Sequence, residues 1–482
     1  MQDFVVLVNL DDGVCHAMAR RLRADSIYCN IFPEGVTADE ILRAEPRGVI
    51  LATGSTGQAA HVPMMMDYLQ MGLPMLCLGD AALTLCKTLG GDWDAEADSG
   101  IVTVSFDASD ALFEGVEDGE HYLPVGCALK FDQDQGTVCA TANKAVIGIR
   151  VRQRDVWGIA FPLERNDPVT ARLLTNFCIQ CGCTQWWTER AFIEGAQASI
   201  VQAAQDGEAL CALSGGVDSG VSALLGHLAL GQKLHCIFVD TGLLREGEVE
   251  EVMLAYQQQM GLNVRRVDAR AEFLLALGGV TDPGEKERII RSLLLDILRR
   301  EAESMPGIKL ILRGTNYADV STHEDYGYLP AGIRVIEPVK PLFKEEIRHV
   351  GESLGIPQEM TSRQPFPGSG LACRIMASVT AERLEVLRQA DAIFRREIED
   401  AGMHRRLWQY FAALAVSPLP GGGLMVILRA VQAVEGGSGM PARIPGDLLE
   451  RVTEEVMRNC PDVQRVFYDC TPSKTYARLA GK

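Results

Sequence analysis

The sequence predicts an α/β protein built on parallel, doubly wound sheets, and three observations carry that prediction. Short apolar runs alternate with stretches of helical periodicity, glycine closes several of the runs (Gly54, Gly79, Gly215), and the joins between them are short. Strands buried on both faces of a parallel sheet read as continuous apolar runs, with their functional turns at the carboxyl ends. At about 150 residues per domain, a chain of 482 residues holds roughly two to four domains.

Composition narrows the function classes. A net charge of −18 argues against a broad nucleic-acid or anionic-membrane footprint and leaves small, solvated partners. The apolar stretches are interrupted by charge too early to span a bilayer. The fourteen cysteines are scattered among apolar runs (Cys77, Cys86, Cys211, Cys236), which points to thiols in a reducing, cytoplasmic setting. Cys178-Ile-Gln-Cys181-Gly-Cys183 has metal-like spacing but no second ligand pair follows it, so buried thiols are expected there.

Taken in order, residues 4–8 read as a buried strand, 14–22 as a helix, 48–54 as a strand ending in a Gly turn, and 74–79 as a strand running into a helix at 81–89. Residues 1–186 are thus expected to form one domain. This part resembles the class I glutamine amidotransferase domain, a flavodoxin-like scaffold with a nucleophilic Cys on a strand-to-helix turn and a His and a Glu from a later strand. The resemblance covers the scaffold only. Against the family's P-V-L-G-I-C-Y-G-M-Q, the run PMLCLGDAAL (74–83) puts Gly79 where the nucleophile belongs. Cys77, two residues earlier, belongs inside the strand. Against G-V-Q-F-H-P-E, the run GIAFPLE (158–164) puts Pro162 in place of the His and keeps only Glu164. Cys–His catalysis needs a base within reach of the thiol, and both are gone, so the resemblance implies a domain that does not hydrolyse glutamine.

The chemistry-bearing stretch is Ser214-Gly215-Gly216-Val217-Asp218-Ser219-Gly220, between the apolar run 209–213 and a helix expected from Val221. Two glycines, two serines and a following helix N-terminus converge on an anion. With no Lys from 209 to 231, it is not a Walker loop. It resembles the SGGxDS loop of the PP-loop ATP pyrophosphatases (adenine nucleotide alpha hydrolase-like), which hold the β,γ-pyrophosphate of ATP. The next strand, 234–240, ends in Asp240, read either as a Mg²⁺ ligand or as a helix N-cap.

SGGVDSG (214–220), VDTGLLREGE (239–248), VTDPGEKERII (280–290), RGTNYADV (313–320), IEPVKPLFKEEIR (336–348) and PFPGSGLACRI (365–375) together resemble the GMP synthetase family. That resemblance implies adenylation of the C2 carbonyl of XMP by ATP-Mg²⁺ and attack by ammonia, giving GMP, AMP and pyrophosphate. Ser214, Gly215, Gly216, Asp218 and Ser219 would surround the pyrophosphate, and Gly314 and Thr315 would lie near the adenylate. Asp218 and Lys344 would carry the catalysis, Lys344 opposing the departing charge. Read without the family, Lys344 is an exposed helical lysine and Gly314 a turn.

The pattern also departs from the family. Residues 321–330 are shorter than the family's lid and keep only His323 and Gly327-Tyr-Leu-Pro330, and PLPGGGL (418–424) replaces V-G-V-M-G-D-x-R-x-Y. The tail YDCTPSKT (468–475) keeps Lys474 and Thr475 without the acidic ending. Residues 187–370 are expected to form the pyrophosphatase domain. Residues 371–482 are expected to form a small α+β domain with a helix at 380–401, strands at 425–434 and 465–468 and a helix at 447–459, which in the family makes the dimer. The alternatives are a paralogue that adenylates a different carbonyl-bearing molecule and a non-catalytic ATP-binding regulator; a separate glutaminase could supply the ammonia.

Overall fold

The computed structural model describes residues 3–97, 100–123, 126–160, 168–315, 332–364, 366–418, 422–433 and 439–472. The chain divides into two compact units, residues 1–192 and 193–482. Apart from residues 187–192, the stretches 187–370 and 371–482 both fall in the second unit.

In the first unit the chain runs β1 (Val5–Asn9), α1 (Asp12–Ala24), β2 (Cys29–Pro33), β3 (Gly48–Ala52), β4 (Met75–Leu78), α2 (Asp80–Thr88) and, after a further set of strands, β5 (Val156–Ile159). These five strands are parallel, in the order β2-β1-β3-β4-β5. Every residue of β3 and β4 is buried, which is why their sequences are unbroken apolar runs. Asp11 caps α1 by accepting the N–H of Val14 at 3.1 Å, so the helix begins two residues earlier than its apolar periodicity suggests. These five strands are the parallel sheet that the sequence predicts, and the structure adds an antiparallel extension to it. Beyond β5 the sheet continues antiparallel through Ala145–Val151, Gly136–Ala142, Gly100–Phe106 and Gly119–Leu123.

After the helix Glu189–Ala204, the second unit includes β6 (Glu208–Leu213), α3 (Val217–Leu230), β7 (Leu234–Asp240), α4 (Glu248–Val252), β8 (Val264–Asp268), β9 (Ile308–Leu312), β10 (Arg334–Ile336) and α5 (Lys344–Ser353). Its five-stranded sheet is parallel, in the order β8-β7-β6-β9-β10, with β6 at the centre. The chain leaves β6 toward β7 on one side and later returns to β9 on the other. The carboxyl end of β6 is therefore a topological switch point, where doubly wound sheets bind their ligands.

The unit continues with α6 (Ala381–Asp400), β11 (Gln409–Val416), β12 (Leu424–Ala433), α7 (Gly446–Asn459) and β13 (Val463–Tyr468). Strand β12 pairs antiparallel with β11 and parallel with β13, and α6 and α7 pack on the sheet. One apolar core runs through this unit, from Leu210 and Phe273 to Leu387, Leu414, Val426 and Val452.

Candidate active site

The loop after β6 is short, and α3 starts inside it. Gly216 is the residue before the helix, so Asp218 and Ser219 lie in the first turn and not in a loop ahead of Val221 as the sequence suggested. Two glycines make this entry possible. Gly215 holds a left-handed φ of 81°, and any Cβ there would lie 3.0 Å from Val252 of α4. The hydroxyls knit the loop: Ser219 Oγ accepts the N–H of Ser214 at 3.1 Å and donates to the Gly216 carbonyl at 2.9 Å, and Ser214 Oγ accepts the N–H of Gly216 at 3.3 Å. The first N–H groups of a helix have no partner inside it, and the helix dipole places about half a positive charge at this end. The arrangement can receive an anion.

Lys344 and Asp218 come together across the mouth of this loop, 126 residues apart in sequence. Lys344 Nζ lies 2.7 and 2.6 Å from the two carboxylate oxygens of Asp218, and its side chain is 39% exposed. It is therefore a partly exposed lysine at the anion site, brought there by α5 packing on α3. Gly314 is a close approach and not merely a turn. A Cβ at Gly314 would lie 2.5 Å from the N of Ser219 and 2.8 Å from the carbonyl carbon of Asp218, so the strand end after β9 touches the first turn of α3 directly. Thr315 follows at the end of that described stretch.

Asp240 ends β7, buried, beside the loop. Its Oδ2 is 2.5 Å from Arg266 and 3.7 Å from Arg270, and its Oδ1 accepts the N–H of Gly242 at 3.0 Å. The next helix begins only at Glu248, so Asp240 closes an Asx turn and is not a helix cap. Arg270 gives its two close bonds to Asp268, at 2.9 and 2.6 Å, so Arg266 is the guanidinium that occupies Asp240 Oδ2, and that oxygen is not free for a divalent cation in this arrangement. Arg266 and Arg270 carried no sequence signal. Glu248, which lies behind Gly215, entered the sequence reading only as the last residue of VDTGLLREGE, and its partner Arg363 lies just outside PFPGSGLACRI.

In the first unit, Gly79 joins β4 to α2 with φ 64° and ψ −133°. A Cβ at this position would run into the carbonyl oxygens of Thr53 and Gly54, the latter at 2.7 Å. The backbone donors of the turn are already bonded: Gly79 N–H to Ile159 O at 2.9 Å, Asp80 N–H to Gly54 O at 3.1 Å. The buried Asp80 carboxylate accepts the N–H of Thr56 at 2.9 Å, its hydroxyl at 2.6 Å and the N–H of Gly57 at 3.2 Å, fastening the segment after β3 onto the turn. Cys77 is fully buried in β4, and burial pushes its thiol well above the usual cysteine range. Pro162, Glu164, His323, Gly327 to Pro330, Lys474 and Thr475 lie outside the described residues.

Comparison with known proteins bears on both units. A family profile described as the GMP synthase C terminal domain matches residues 396–477. Among curated proteins, this chain is 35% identical to the "GMP synthase (glutamine-hydrolyzing)" of Caldicellulosiruptor saccharolyticus, over 97% of this chain and 98% of that one. It is 36% identical to the protein of the same name from Acetivibrio thermocellus (97% and 98% covered) and 34% identical to that of Geobacillus kaustophilus (98% and 98%). Similarity of that extent, running end to end through both units, makes this chain a member of the GMP synthase family.

Proposed function

We propose that this chain is an ATP-dependent C–N ligase that converts XMP to GMP with ammonia, and that its first unit does not hydrolyse glutamine. The loop Ser214 to Ser219, with Lys344 and Asp218 at its mouth, is the observation that carries the ligase reading. An amide-like carbonyl is a poor electrophile because oxide is a bad leaving group. In the proposed reaction the C2 oxygen of XMP attacks the α-phosphorus of ATP, and the bond to pyrophosphate breaks. Ammonia then adds at C2, AMP departs with the former carbonyl oxygen, and a proton is released.

The loop N–H groups and hydroxyls hold the β,γ-phosphates, and Lys344 moves from Asp218 toward the charge that develops as pyrophosphate leaves. Gly314 lets the chain approach the first turn of α3 closely enough for it and Thr315 to border the adenylate. Magnesium brings charge neutralisation to the phosphates when bound; Asp240, whose Oδ2 is taken up by Arg266, does not fit as its ligand here.

Gly79 and the bonded donors around it support the loss of glutaminase chemistry: the nucleophile position has neither a side chain nor room for one. Ammonia then comes from solution or from a separate glutaminase. The half-exposed Phe467, in register with Ile427 on the outer face of the C-terminal sheet, supports a homodimer formed there. All fourteen cysteines are free thiols, which supports a cytoplasmic setting. No helix among the described residues is long and apolar enough to cross a membrane.

The test is AMP, pyrophosphate and GMP formation from ATP, magnesium and ammonium, with and without XMP. Equal pyrophosphate release in both reactions would point to the alternative of a different acceptor, and ATP binding with no release in either would point to a regulator.

A further inference from the structure

The phosphate loop has a buried carboxylate behind it. The Glu248 side chain is 6% exposed, and its Oε1 lies 3.8 Å from where a Cβ of Gly215 would stand. Its Oε2 accepts the N–H of Arg245 at 3.1 Å, which fixes the group in place. A negative charge held this close to a loop that receives polyphosphate repels it, and burial reduces the screening.

Arg363 answers that charge. It arrives from the segment after the short helix Gln358–Thr361, with its side chain 18% exposed. One guanidinium nitrogen stands 3.4 Å from Glu248 Oε1, and another bonds Glu251. Both carboxylates belong to α4, whose Val252 forms the wall against Gly215.

We propose that Arg363 is a positioning residue for the pyrophosphate group: it offsets one of the two charges of Glu248 and Glu251, keeps α4 seated against Gly215, and so lets the loop accept a polyanion. The proposal rests on the reading of this loop as the pyrophosphate site, and the experiment separates the two. Equilibrium binding of inorganic pyrophosphate is measured on the full chain and on Arg363→Met, Glu248→Gln and the double variant.

Arg363→Met takes one positive charge from beside Glu248, leaving Arg245 and Arg374 as its cationic neighbours, and weakens binding roughly ten-fold. Glu248→Gln keeps an acceptor for the Arg245 N–H and tightens binding, and in the double variant it restores most of what Arg363→Met loses. A merely structural Arg363 gives no such rescue. Absence of pyrophosphate binding by the parent chain overturns the loop reading and this proposal with it. Binding by the parent with equal binding by Arg363→Met, or a double variant as weak as Arg363→Met, overturns the proposal alone. Should Arg363→Met fail to fold, unchanged or weaker binding by Glu248→Gln overturns it as well.

Discussion

Each unit contains a strand that ends in glycine and enters a helix, at Gly79 in the first and at Ser214 to Gly216 in the second, and the two turns use their polar groups differently. At Gly79 the turn's N–H groups donate to the backbone carbonyls of Ile159 and Gly54, and the carbonyls of Thr53 and Gly54 fill the space a side chain would need. After β6 the N–H groups of Ser214 and Gly216 meet hydroxyls that can turn toward a ligand, and a lysine and a carboxylate stand at the mouth. A strand-turn-helix is therefore not a site by itself. At Gly79 the turn's donors are bonded to backbone carbonyls, whereas after β6 they are bonded to side-chain hydroxyls, which rotate more easily than a backbone.

The comparison can be broken most directly at the intact turn. Lys344→Ala is expected to lower the rate of XMP-dependent pyrophosphate release by about 10²- to 10³-fold, the scale for removing a group that opposes developing charge. Circular dichroism would remain that of the parent, since the side chain is partly exposed. A loss under threefold would return Lys344 to the ordinary surface lysines.

Gly314→Ala comes next. Its methyl group would meet the backbone of Ser219 and Asp218, where neither can yield cheaply, and overpacking of this kind costs about 1–3 kcal/mol. Thermal unfolding should move down, and ATP affinity should fall further than stability alone explains. Unchanged ATP affinity would mean that the chain after β9 does not shape the loop.

At the closed turn, Gly79→Cys sharpens the contrast. A restored thiol there is expected to give no glutamate from glutamine and to destabilise the first unit by about 1–3 kcal/mol, through both the contact with the Thr53 and Gly54 carbonyls and the positive φ. Glutaminase activity in this variant would show that the turn opens more readily than its hydrogen bonds suggest.

The smallest effect is chemical. Cys470 is exposed, whereas Cys77 is buried with its thiol pushed above the usual range, so it stays protonated. Alkylation of the native protein at pH 8 should label Cys470 and spare Cys77, as read by peptide mass spectrometry. Early labelling of Cys77 would reopen it as a nucleophile.

Much of this contrast was legible in the sequence, for physical reasons. The β3 and β4 runs are apolar throughout because both faces of a parallel sheet are covered, and SGGVDS names its chemistry by residue type. That Gly79 stands where the resemblance puts a nucleophile can be read from the sequence alone. That the space itself is closed does, because the obstructing carbonyls of Thr53 and Gly54 come from another strand end. The antiparallel strands between residues 92 and 151 were missed because exposed apolar residues such as Ile101, 73% exposed and paired with Tyr122, blur their alternation. The partners of Asp240 were illegible for a similar reason: Arg266 and Arg270 lie on and just beyond β8, and only the sheet register brings them alongside.

GMP formation from ATP and XMP, with either ammonium or glutamine as nitrogen source, tests most directly whether the second unit works while the first does not. GMP from ammonium, with neither GMP nor glutamate produced from glutamine, is the predicted result. Glutamate release and GMP from glutamine alone would contradict it.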